Sequence, residues 1–291
     1  MDAHSLLVIY FDWTRRFVPP VLWAVHRSQA LNNNSYLTDP NYQSAFDHIV
    51  AALHVGGDIG PHLSRGIMIG YESPTRLAHE AAQSTTSAMK AKKVKTKTRR
   101  DLDLMLNDWG LHHLHLSVNK EKDGWVTRTG PVLFAVFKPN QAYLIDIRPH
   151  GSWYHEDLIR IIVEEWPDAG IVGELKGISV PGMSTVQRKE HREDYRVTAI
   201  VIDGRTYVPL ISLMSSGHSE QSLDTADAIF RIMKPVEQQL RTSPTRINEI
   251  LVSRGLTPPQ DLDIHFAFFP EGGFGIVERK TGEQFSFPLP E

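Results

Sequence analysis

The sequence predicts an α+β protein, with a small antiparallel sheet flanked by helices in its N-terminal part and a C-terminal α+β part that includes a three-stranded meander. Three observations carry this expectation. Leu114, Leu116 and Val118 alternate with polar residues at period two, and apolar runs follow from Val132 to Phe137 and from Ala142 to Ile147. Apolar residues recur at helical spacing between Ser222 and Leu240. Three further strand-like runs, Leu262 to Phe269, Phe274 to Arg279 and Gln284 to Leu289, are separated by the turns PEGG and KTGE.

Composition narrows the chemistry. A chain of 291 residues with 41% hydrophobic content can fill one large or two ordinary cores, and a division near residue 170 is expected: 1–170 and 171–291. No apolar run approaches the ~20 residues that span a bilayer. The opening MDAHSLLVIYFDW lacks a basic n-region and a small-residue cleavage site, so a cytoplasmic protein with no membrane partner is expected. The absence of cysteine excludes disulfides, thiolate-held metals and thiol nucleophiles, which leaves His, Asp and Glu as the metal ligands available. The net charge is −3, yet Lys90, Lys92, Lys93, Lys95, Lys97, Arg99 and Arg100 stand together with no acid between them. Such a run is either a solvated linker or a phosphate-binding arm whose affinity falls steeply with salt.

Taken in order, Leu6 to Phe11 leans towards a strand, and Val21 to Val25 suggests a second one after Pro19-Pro20. Phe46, Ile49, Val50 and Leu53 share a helical face that Gly56-Gly57 ends. The stretch GDIGPHLSRGIMIG should be irregular. Asp101 to Trp109 reads as a helix closed by Gly110, directly ahead of the histidine-bearing strand. Lys138-Pro139-Asn140-Gln141 suits a tight turn between the next two strands, and a helix is expected from about His155 to Trp166. Residues 168–194 read as a connection. Asp203-Gly204 between two apolar runs signals a type I′ hairpin, and Ser243, Pro244 and Gly255 mark the ends of a later helix.

The candidate site lies in the stretch from Trp109 to Trp166. Strand alternation puts His113, His115 and Ser117 on the face opposite Leu114 and Leu116, while His112 shares the apolar face. These histidines are open to three readings. They could be structural, in a module that binds nucleic acid or protein without catalysis. They could hold a metal ion, with His-x-His aiming two imidazoles and His150, His155 or Asp146 adding ligands. They could cleave a phosphodiester without a metal, one imidazole as base, another as acid, and a cation stabilising the transition state. The candidate catalytic set is His113, His115, Arg128, Lys138, Arg148 and His150, with no metal or cofactor assigned.

The order of elements in residues 109–166 resembles the RelE/ParE-like toxin ribonucleases. The resemblance rests on the histidine-bearing strand, on Arg128-Thr129-Gly130 leading into VLFAVF, on AYLIDIRPHG and on the helix that follows. It implies a compact antiparallel sheet backed by helices, with Lys, Arg, His or Tyr on the sheet cleaving RNA through 2′-hydroxyl attack. It also implies a toxin or phage-defence role, RNA as partner, and an antitoxin or other protein partner. The chain departs from the family in an insertion around residues 57–98 and a large C-terminal addition, for which scaffolding, homo-oligomerisation or partner recognition is expected.

Overall fold

The computed structural model describes residues 2–64, 66, 102–242, 245–269 and 273–287. The basic run from Lys90 to Arg100 and the cap residues Ser243 and Pro244 lie outside the described residues. The fold is α+β. Among the described residues, no helix is long and apolar enough to cross a membrane.

Contacts divide the chain into two compact units: residues 9–222, and residues 1–8 with 223–291. No boundary falls near residue 170, because Ile171, Val172, Ile200, Ile202 and Tyr207 pack into the same apolar cluster as Val132, Phe134 and Ile145. Burying those side chains together makes a cut at 170 a cut through a core.

The first helix, α1 (Ala3–Thr14), replaces the strand expected over Leu6 to Phe11. Local strand preference loses to helical pairing: Asp2 Oδ1 accepts from the Ser5 N–H at 2.8 Å, and the buried Asp12 and Arg16 pair at i, i+4 with 3.6 Å between N and O. Strand β1 (Ala24–Arg27) follows, then the short α2 (Gln29–Asn32) and α3 (Pro40–Val55). Helix α3 is capped by Asp39 and stopped by Gly56 in the left-handed region, and it buries Phe46, Ile49, Val50 and Leu53 as its spacing predicts.

Helix α4 (Leu104–Trp109) begins three residues later than expected, because the Asp103 side chain caps the Leu106 N–H at 3.1 Å. It leads through Gly110 into β2 (Leu111–His115), β3 (Pro131–Lys138) and β4 (Gln141–Pro149). These three strands form the expected antiparallel meander, and β1 joins β4 in parallel to give the order β1-β4-β3-β2. The sheet is therefore mixed. Leu114, Leu133, Leu144 and Ile147 pack against α3 on one face. The other face is not open to solvent: Leu111, Val132 and Phe134 meet Leu158, Ile159 and Ile162 of α5 (Asp157–Glu165).

Residues 168–194 are more ordered than a connection. They hold β5 (Val172–Glu174) and α6 (Thr185–Glu193), the latter started by a capping box of Ser184 and Gln187. Apolar periodicity does not announce α6, since it docks through arginines. Arg192 Nε donates to Asp108 Oδ2 at 2.8 Å, with both side chains buried. The hairpin β6 (Ile200–Ile202) and β7 (Arg205–Pro209) turns at Asp203 and Gly204, with φ of 50° and 78°, and β5 completes a sheet of order β5-β7-β6.

In the other unit, α7 (Glu220–Thr242) runs in from Ser222, and α8 (Thr245–Ser253) precedes the antiparallel meander of β8 (Ile264–Phe268), β9 (Phe274–Glu278) and β10 (Glu283–Phe287). Ile247 and Leu251 of α8 pack on Ile276.

Candidate active site

The antiparallel register sets His115 beside Val132 and Arg148, and His113 beside Phe134 and Asp146. Both histidines therefore stand on the sheet face away from Leu114, as their alternation predicts, at the end of the apolar cluster under α5. The chain leaves β4 at Pro149 and brings His150 back to them, its N–H donating to the Gly130 carbonyl at 2.5 Å. One imidazole nitrogen from each of His113, His115 and His150 lies within 4.8 Å of the others. The rings of His115 and His150 stack at 5.8 Å and 13°, and His113 meets His150 edge-on at 5.7 Å.

His115 is the fixed member of the cluster. Its carbonyl accepts from Nδ1 of the buried His62 at 2.9 Å, and its Nδ1 accepts from the Thr129 N–H at 3.2 Å. Thr129 is itself held, its hydroxyl oxygen accepting from the Leu116 N–H and donating to the Pro131 carbonyl. A neutral ring that accepts at Nδ1 carries its proton on Nε2. Nε2 of His115 is buried and has no hydrogen-bond partner among the described residues.

Electrostatics lower the proton affinity of the whole cluster. Burial, then the neighbouring His113, Arg128 and His150, push the His115 imidazole down to about 4. His113 is lowered by burial and Arg128, and His150 by burial, His113 and Arg128. Imidazoles that hold their protons less tightly, beside the exposed Arg128 guanidinium, make a site that welcomes an anion.

The other expected members divide. Arg128 acts on all three rings. Arg148 is in the His115 row but turns to Asp146, whose Oδ2 accepts from its Nε at 2.5 Å, while Asp146 Oδ1 accepts from Asn34 and the Ile147 N–H. Lys138 is not part of the cluster. It ends β3, about 20 Å from Val132 at roughly 3.3 Å per residue, and donates to the Gly170 carbonyl at 2.8 Å. His112 belongs to the apolar face: it meets Phe137 edge-on, and its Nε2–H donates to the Arg15 carbonyl at 3.2 Å.

His62 and Thr129 enter the site unannounced. His62 lies in a glycine-rich stretch that reads as irregular, and Thr129 contributes a backbone N–H, which no side-chain pattern encodes. No protein-family model, characterised protein or solved structure matches this chain.

Proposed function

We propose that the chain cleaves RNA phosphodiesters without a metal, at the cluster of His113, His115 and His150 with Arg128. The observation that carries this reading is the Thr129 N–H on Nδ1 of His115. It commits Nε2 to donating a hydrogen bond, and a protonated Nε2 has no lone pair for a metal ion. A neutral imidazole donor, kept neutral by burial, is suited to a developing phosphorane oxygen. His113 and His150 then form the proton-transfer pair. One removes the 2′-hydroxyl proton as the 2′-oxygen–phosphorus bond forms, and the other, protonated, delivers a proton to the 5′-oxygen as its bond to phosphorus breaks. Arg128 supplies the positive charge that stabilises the pentacoordinate oxygens. The resemblance of residues 109–166 to RelE/ParE-like toxin ribonucleases supports the substrate class, and the basic run Lys90 to Arg100 supports backbone contact. A toxin or phage-defence role, with an antitoxin as partner, belongs to the same proposal.

The test is a cleavage assay on RNA and on the same sequence with 2′-deoxy substitution, each with and without EDTA. Cleavage of RNA alone, unaffected by EDTA and lost by about 10²–10⁴-fold in His150→Ala, is the expected result. Equal cleavage of both substrates, or no cleavage of RNA of varied sequence, would end this reading.

A second reading rests on the same 4.8 Å grouping, in which small ring rotations would bring three nitrogens to one divalent ion. It requires His115 to give up the Thr129 hydrogen bond or its Nε2 proton. Stoichiometric zinc in the purified chain, with activity abolished by chelation, would favour it.

A further inference from the structure

Between the C-terminal end of α5 and the β5-β7-β6 sheet lies a cleft of about 610 Å³. Val163, Val172 and Ile202 contribute apolar walls, and Glu164, Asp168, Glu174 and Asp203 line it with carboxylates against one lining cation, Arg205. Arg160 bonds two of those acids from outside the lining, which still leaves four negative groups against two positive ones. The end of a helix carries partial negative charge as well, so the potential in the cleft favours a cation.

Two places in the cleft are built. Arg160 Nη1 donates to Glu164 Oε1 at 3.4 Å and to Asp203 Oδ1 at 2.9 Å, which gathers two carboxylates about one nitrogen. On the sheet, the antiparallel register sets Glu174 directly opposite Tyr207, so the two side chains leave the same face with Cβ atoms roughly 5 Å apart. Tyr207 lines the cleft although it is only 8% exposed, and its hydroxyl is not sealed from solvent and has no hydrogen-bond partner among the described residues. Glu174 faces Arg205 at 3.9 Å, beyond hydrogen-bond reach, so its oxygens also remain available. Tyr207 shares a row with Ile200, three residues before Asp203, and at about 3.3 Å per residue the two places stand roughly 10 Å apart.

We propose that this cleft binds an unbranched aliphatic diamine or polyamine, one ammonium between the Glu174 carboxylate and the Tyr207 hydroxyl, a second at Glu164 and Asp203, and the methylenes against Val163, Val172 and Ile202. A primary ammonium donates three hydrogen bonds, which carboxylate and hydroxyl oxygens accept, and two positive charges match the excess of acids. The histidine cluster shares none of these residues, so occupancy of the cleft does not depend on the phosphodiester reading.

The test is calorimetric titration of the full chain with 1,8-diaminooctane, 1-aminooctane and 1,8-octanediol. The diamine should bind about tenfold or more tighter than the monoamine, as a second charge-assisted contact implies, and the diol should not bind at the same concentrations. Glu174→Gln should weaken the diamine by about tenfold. Tyr207→Phe should weaken it several-fold with no fall in the melting temperature of the free chain, because the lost hydroxyl has no partner to forfeit. Asp224→Asn, which neutralises an exposed acid outside the cleft, should leave the titration unchanged. The proposal is overturned if the diol binds like the diamine, if Glu174→Gln or Tyr207→Phe binds the diamine like the parent, if Asp224→Asn weakens it as much as Glu174→Gln does, or if the diamine does not bind at millimolar concentration.

Discussion

The backbone N–H of Thr129 donates to Nδ1 of His115 at 3.2 Å and so fixes the side of the ring that carries the proton. A residue held in that state stabilises charge and does not titrate during turnover. His115→Ala should lower RNA cleavage by about 10²–10³-fold, the cost of one preorganised donor, while RNA affinity changes little. The shape of the pH–rate profile should survive in the residual activity. Loss of its acidic limb would identify His115 as the titrating group instead.

The two arginines of the stretch should behave differently. Arg128 depresses all three imidazoles, so Arg128→Gln should slow cleavage and move the acidic limb to higher pH, because removing a positive charge lets His113 and His150 hold a proton more readily. Arg148 is spent on Asp146, and Arg148→Gln should affect melting temperature more than rate. Steady-state kinetics of both variants across pH separates the two roles, and equal rate losses with no pH shift would contradict the assignment.

Folding stability should fall on acidification. His112 and His115 are both held near 4 in the folded chain, below the ordinary histidine value of about 6.5, so the unfolded chain binds more protons between those limits. Their contribution is fully present above pH ~6.5 and is lost as pH falls towards 4, on the order of 3 kcal/mol for each buried ring. Urea midpoints measured from pH 7.5 to 4.5 should therefore decline for the parent and decline less for His112→Phe. A flat profile in the parent would show that the rings are not held neutral.

Asp108 and Arg192 make a buried ion pair between α4 and α6. Burial pushes the Asp108 carboxyl up, and the Arg192 guanidinium opposes that shift. Asp108→Asn leaves a buried guanidinium uncompensated and should cost about 3–5 kcal/mol, read by denaturant unfolding, whereas replacing both partners with apolar residues should cost less. Additive losses in the double variant would argue that the two charges are not coupled.

The basic run makes a prediction from sequence alone. Neutralising Lys92, Lys93, Lys95 and Lys97 should weaken RNA binding and flatten its dependence on log salt by roughly 0.7 for each single-strand phosphate that the chain no longer neutralises. An unchanged slope would leave the run as a solvated linker.

The meander and the facing of its histidines are legible because a strand with alternating Leu114, Leu116 and His113, His115 admits one register once a core covers one face. The type I′ turn is legible for a similar reason: Asp203-Gly204 is a local backbone demand. What escapes is set by distant partners. Leu6 to Phe11 is helical because of its cap and the Asp12–Arg16 pair, and α6 forms around arginines whose carboxylates are supplied by α4 and by Glu156. The separation of Lys138 from the cluster follows from strand length, yet residue type alone groups it with the other cations. His62 and Thr129 show the same limit, since the His62 ring bonds the His115 backbone carbonyl and Thr129 reaches the His115 ring with its backbone N–H.

The parallel seating of β1 against β4 sets an order of events for the newly made chain. β2, β3 and β4 are near neighbours in sequence and can zip together soon after they emerge, but the His26–Gln141 contact at the β1 edge joins residues 115 apart. Closing so long a loop is slow relative to forming adjacent hairpins. Without that pairing β4 would present an unpaired backbone edge, open to pairing with other chains.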